Sequence, residues 1–268
     1  MRHVKLIIEY DGTAYGGWQR QKGVLSIQQV LEEKLEVLLR HPAKAAAAGR
    51  TDAGVHALGQ VACFRTDASL SLDRIRKGLN ALLPNDIAVV EAAEVPERFD
   101  PRRHARGKLY RYLVWNRPSR PALLRHRAWH VREPLDLAAM RAAAKVLTGE
   151  HDFAAFQASG CSAKSTVRTI RRLQVGPWPL GVPCPPKRKK GKPDPSCLAF
   201  EVEGTAFLRF MVRNLVGTLV EAGLGRLSVA DVGRILAGRD RRAAGPTAPA
   251  SGLMLVRVEY DRAGQNEP

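Results

Sequence analysis

The sequence predicts two α/β halves joined near residue 105. Three observations carry that reading. Strand-like and helix-like segments alternate through the first third of the chain, and the alternation restarts after the Pro101–Gly107 segment. The apolar runs at 87–93 and 253–258 suggest central, buried strands. At 268 residues with 45% hydrophobic content, the chain can bury a sizeable core in one large domain or two small ones. No strict sequence repeat relates the halves, so any relation between them is structural. The expected division is residues 1–105 and 106–268.

Taken in order, Val4–Tyr10 reads as a strand rich in Val, Leu and Ile, ended by the turn signal Asp11-Gly12. Ser26 and Gln29 form a capping-box pair ahead of Ile27, Val30, Leu31, Leu35 and Leu38 at helical spacing, with Pro42 just beyond. Gln60–Phe64 reads as a second strand. Ser71 caps a helix reaching about Leu83, where Pro84 stops it, and Ile87–Ala93 is a third strand. The second half predicts strands over Lys108–Trp115, Val167–Val175, Cys197–Glu203 and Leu253–Tyr260. Its helices are predicted over Leu137–Leu147, Leu208–Ala222 and Val229–Ala237.

The charge is lopsided: 43 Lys and Arg against 26 Asp and Glu, a formal net charge of +17. Such an excess favours a polyanionic partner, nucleic acid first, with a basic surface kept for solubility as the alternative. No apolar run approaches the ~18 residues of a membrane span. Met1-Arg2-His3-Val4-Lys5 lacks the apolar stretch of a secretion signal, so a cytoplasmic location without membrane is expected. Cys63, Cys161, Cys184 and Cys197 include no Cys-x-x-Cys pair, which argues against a zinc cluster or a redox motif. Residues 176–196 place prolines around Lys187-Arg188-Lys189-Lys190. They read as a connection of low order whose basic tip is either simply solvated or in contact with an RNA backbone.

The chemistry concentrates in Gly49-Arg50-Thr51-Asp52-Ala53-Gly54-Val55-His56-Ala57. This stretch precedes a strand, so it is expected on a loop at a strand edge, where reactive groups are favoured. Gly49 and Gly54 permit tight turns on both sides of Asp52. From the residues alone, Asp52 is a nucleophilic or basic carboxylate, a metal ligand or the centre of a structural Asx-turn. A metal is disfavoured because Asp52 and His56 supply two ligands and no further cluster is evident.

The nonamer resembles the active-site motif of the TruA family of tRNA pseudouridine synthases. Other stretches resemble the same family in the same order: Tyr10-Asp11-Gly12-Thr13 with Gly17-Trp18-Gln19, and Lys108-Leu109-Tyr110-Arg111-Tyr112. Phe207-Leu208 through Met211-Val212-Arg213-Asn214 follows, then Ala248-Pro249-Ala250-Ser251-Gly252-Leu253. The resemblance runs from residue 4 to 260 and departs mainly at 176–196. It implies an α+β fold of two similar halves around an extended, mainly antiparallel sheet, with helices packed on it and a central active-site cleft. It also implies a homodimer, and a substrate, the anticodon arm of tRNA, modified at uridines 38, 39 and 40.

Further roles follow from the resemblance, residue by residue. Asp52 matches the catalytic aspartate. The reaction cleaves an N-glycosidic bond, turns the base and rejoins it through carbon, so it needs no oxidant and no cofactor. A carboxylate suits it as nucleophile or as base. Arg213 matches the arginine that pairs with the aspartate. Its helix carries Phe207, Leu208, Met211, Leu215 and Leu219, among which an unpaired Arg is costly to bury. A solvent-facing arginine is the bland alternative. Tyr110 matches the active-site tyrosine, whose ring can stack on a flipped uracil. Without the family match, a core tyrosine is the favoured reading of Tyr110 or Tyr112. Leu253 matches an apolar pocket residue, and Arg50 a residue that enters the RNA helix. His56 is expected to support the loop.

Two other functions compete. A passive RNA-binding protein would use the charge and Tyr110, but a Gly-flanked Asp beside phosphates would only repel RNA. A metal-dependent nuclease would need several converging carboxylates, and only Asp52 lies in a suitable loop.

Overall fold

The structure is a computed structural model that describes residues 1–158, 160, 163–178 and 197–261. Cys161, Cys184 and the basic tip Lys187–Lys190 of the 176–196 connection lie outside the described residues. The fold is α+β, and the chain divides into two compact units. The first comprises Met1–Lys108 and the chain from Met254 onward, and the second Leu109–Leu253. The final strand, which chain order places in the second half, thus belongs to the first unit.

In the first unit β1 (Arg2–Tyr10) pairs antiparallel with β3 (His56–Thr66) on one side and with β4 (Ile87–Glu94) on the other. The short β2 (Ala46–Ala47) pairs with β3, and β10 (Leu253–Glu259) joins β3 in parallel, Met254 opposite His56. β1 alternates as a half-covered strand should, burying Val4, Leu6, Ile8 and Tyr10. Two helices contribute to this core. α1 (Ile27–Leu39) buries Ile27, Val30, Leu31, Leu35 and Leu39; α2 (Leu72–Leu82) buries Ile75 and Leu79 and packs on β4 and α1. Ser26 and Ser71 cap these helices through their hydroxyls. Only half of the expected box at Ser26 forms. Its Oγ accepts the Gln29 N–H at 3.3 Å, while the Gln29 side chain turns down the helix to Glu33.

The run at 87–93 is not a central strand. β4 lies at an edge, pairs with β1, and leaves Val90 52% exposed. Glu91 interrupts its apolar run, and burial alternates along Ile87–Val90, with α2 packed against the strand.

The second unit orders its strands β5-β9-β8-β7, with β6 (Trp129–Val131) parallel to β5 (Gly107–Asn116). β8 (Val167–Pro177) pairs antiparallel with β7 (Gly149–Asp152) and β9 (Cys197–Gly204). α3 (Leu137–Val146) packs against β8, α4 (Met211–Gly223) and α5 (Val229–Gly238). α4 is buried almost all round, as its apolar composition requires. It starts later than its sequence pattern implies. Phe210 sits at the N-cap in the left-handed region, φ 62°, so Phe207–Phe210 form a bent lead-in rather than a first turn.

Candidate active site

The Asp52 loop connects β2 to β3 and is fastened to its own unit at several points. The Gly49 carbonyl accepts the Gln60 side-chain amide at 2.9 Å. The Thr51 hydroxyl meets the Tyr10 hydroxyl at 2.7 Å, and the Thr51 carbonyl accepts the Trp18 N–H at 3.1 Å. Gly54 N–H donates to the Tyr15 carbonyl at 3.3 Å, and Val55 N–H closes a turn onto the Asp52 carbonyl at 3.1 Å. Thr51, Val55 and Gln60 are buried, Asp52 is partly exposed, and Arg50 is exposed. Among the described residues the Arg50 side chain makes no hydrogen bond and no ion pair.

This anchoring explains two glycines in the flanking segments. A Cβ on Gly12 would overlap the Val55 carbonyl oxygen. One on Gly17, which holds φ +96°, would stand 2.5 Å from the Thr51 carbonyl oxygen. Both segments therefore approach the loop backbone at distances only glycine allows. The Gly17-Trp18 strap also ties the loop to α1, since Gly17 and Trp18 carbonyls accept the Ile27 and Gln28 N–H groups. His56 closes the far end. Its Nδ1 lies 3.0 Å from Asp11 Oδ1 and 3.1 Å from the Gly12 N–H. A neutral ring accepts from Gly12; an imidazolium donates to Asp11. Either state holds the loop exit to the turn after β1.

The remaining candidates belong to the second unit. Tyr110 on β5 is 8% exposed, with its ring edge-on to Phe207 at 5.1 Å. Arg213, in the first turn of α4, is partly exposed. Its Nε donates to the Ala248 carbonyl at 2.7 Å, and its guanidinium lies 4.6 Å from the Phe210 ring centre. It is therefore a held side chain, not a solvent-facing one. Leu253 is buried at the start of β10.

The adjoining Asn214 is fully buried. It donates to the Phe156 carbonyl at 2.8 Å and accepts from Arg241 at 3.0 Å and from Thr247 at 2.6 Å. Those bonds fix the loop that brings Ala248 to Arg213. Tyr112 grips the same segment through Pro249, its hydroxyl donating at 2.8 Å, while burial pushes its phenol pKa upward.

Sequence reasoning assigned no role to Tyr10, Gln60 or Asn214. The usable signal was a polar residue inside an apolar strand or helix, since a buried amide must find partners. Among the described residues, no group of three His, Cys, Asp or Glu side chains is placed to hold a metal ion. No helix among them is long and apolar enough to cross a membrane.

A family model described as tRNA pseudouridine synthase matches residues 6–102 and 143–261. The chain is 52% identical to tRNA pseudouridine synthase A of Myxococcus xanthus, over 97% of this chain and 92% of that protein. It is 47% identical to the protein of the same name from Geotalea uraniireducens (strain Rf4), over 97% of this chain and 100% of the other. The relative of that name in Acetivibrio thermocellus is 44% identical over the same shares. The chain belongs to the tRNA pseudouridine synthase family.

Proposed function

We propose that this chain isomerises uridine to pseudouridine at positions 38, 39 and 40 in the anticodon stem-loop of tRNAs. The observation that carries the reading is the Asp52 loop. A partly exposed carboxylate stands on a backbone fastened by Tyr10, Trp18, Tyr15 and Gln60, the rigid support a reacting group requires. A carboxylate whose only task was a turn would need no such fastening.

In the proposed reaction the C1′–N1 bond breaks, the uracil turns, and C1′ bonds to C5. The C5 proton leaves and N1 gains one, so the process is redox-neutral and needs no cofactor. Asp52 acts either by adding to C1′ or by removing a ribose proton to give a glycal. Arg213 is the proposed charge partner that keeps the carboxylate ionised. Its Nε bond to Ala248 holds the guanidinium in place. The Tyr110 ring stacks on the extruded uracil, and its hydroxyl assists proton transfer at C5. Leu253 lines the apolar side of the pocket. Arg50, exposed beside Asp52, occupies the space the flipped base vacates. The protein acts in the cytoplasm as a homodimer.

The test is tritium release from tRNA labelled at uridine C5. Release that depends on Asp52 and persists in EDTA supports the reading. Binding without release makes the chain a passive RNA-binding protein, and cleavage abolished by EDTA makes it a nuclease.

A further inference from the structure

Lys108 is the last residue of the first unit before Leu109, and its ammonium lies against the start of the Asp52 loop. A Cβ built on Gly49 would stand 3.1 Å from Lys108 Nζ. The side chain is half-buried, yet among the described residues it reaches no carboxylate and makes no hydrogen bond. Nearby cations on the same segment are committed: Arg106 bonds Asp261 at 2.6 Å, and Arg103 faces Asp100 at 3.9 Å. Arg102 is not. Its backbone N–H bonds Asp100, while its guanidinium has no acidic partner among the described residues. Burial first, and the like charge of Arg102 second, pull the Lys108 ammonium down to about 8. A cation removed from water without a counter-ion is a cost that an arriving anion would relieve.

We propose that Lys108 and Arg102 together bind one phosphate of the RNA backbone, next to the nucleotide that the Asp52 loop handles. The inference rests on the tRNA reading above. A phosphate suits the pair because its oxygens can accept from a compact ammonium and a planar guanidinium at once. The position also fits, since Gly49 is followed directly by the exposed Arg50. These are binding residues, not catalytic ones.

The experiment uses Lys108→Met and Arg102→Met, which keep much of the side-chain bulk and remove the charge, with Lys108→Arg as the charge-keeping control. Affinity for a tRNA transcript is measured across salt concentrations, beside pseudouridine formation and thermal melting. Each Met variant is expected to lower the slope of log affinity against log salt by about one. The loss should fall on Kd and KM rather than on kcat, and Lys108→Arg should restore the parent slope. A further arm uses anticodon stem-loops with one neutral methylphosphonate linkage at a time. At one linkage, neutralisation should weaken the parent but not Lys108→Met.

Parent-like slopes in both Met variants, or a fall in kcat or melting temperature with Kd unchanged, overturn the phosphate site and leave Lys108 a prop for the loop. In those cases the parent still isomerises tRNA, so the family reading stands. A parent that neither binds nor isomerises tRNA removes that reading and this inference with it.

Discussion

The Tyr10 and Thr51 hydroxyls meet at 2.7 Å in the interior, one residue before Asp52. This contact joins the end of β1 to the loop across the unit. Burial pushes the Tyr10 phenol up to about 12, so it stays protonated through any ordinary working pH. Tyr10→Phe removes the bond and leaves the Thr51 hydroxyl without its partner. The expected cost is about 1–2 kcal/mol, a fall in Tm of roughly 2–4 °C for a chain of this size. Because the bond sets the position of Asp52, kcat should fall more than KM rises. Calorimetry and steady-state kinetics check this; a lowered Tm with parent kcat would make the bond structural only.

Gly12→Ala should damage both folding and turnover. The added methyl meets the Val55 carbonyl, a backbone atom that cannot rotate away. Forcing the loop outward is expected to cost at least ~1–3 kcal/mol, the usual range for overpacking. Gly23→Ala is the control, since nothing lies near its Cβ position and only its φ of +78° is strained. Denaturant midpoints for the two variants give the comparison; equal, small losses would mean the Gly12 approach is looser than described.

Asp52→Asn is nearly isosteric and preserves the backbone bonds that hold the loop. Melting temperature and tRNA affinity should stay near the parent values, while tritium release disappears. Pseudouridine formation at close to the parental rate would remove Asp52 from the mechanism.

Tyr110 can be dissected into ring and hydroxyl. Tyr110→Phe keeps the edge-on contact with Phe207 and should lower turnover by the ~10²–10⁴-fold typical of general acid–base catalysis. Tyr110→Ala should add a binding loss, since base–aromatic stacking is typically worth ~1–3 kcal/mol. A fully active Tyr110→Phe would leave the residue with stacking alone.

The net charge of +17 predicts steep salt dependence of tRNA binding. If ~6–10 phosphates are neutralised, affinity should drop roughly 10³–10⁵-fold between about 50 and 200 mM salt at duplex-like sites. A nearly flat log–log plot would show that the basic excess is not a broad RNA footprint.

Local signals predicted local structure well. The Gly-flanked Asp52 stretch does sit on a loop entering a strand, and Ser26, Ser71 and the apolar spacing marked α1 and α2. What failed depended on distance along the chain. The run at 87–93 could not reveal that α2 would cover one face and that β4 would lie at an edge. Gln60 reads from sequence as the start of a strand, but its bond to Gly49 depends on how β3 folds back beside the loop. Phe210 offers no sign of a left-handed backbone, a conformation uncommon for a residue other than glycine.

The parallel pairing of Met254 with His56 has a consequence for how the protein is made. The first unit draws its last strand from the end of the chain, so a ribosome that has delivered Met1–Lys108 has not delivered all of that unit. β3 must wait for that neighbour while the whole of Leu109–Leu253 is synthesised. At about 5–20 residues per second the delay is on the order of ten seconds or more. The loop next to His56 therefore gains its final neighbour late in synthesis, and a chain truncated before Met254 cannot complete the first unit.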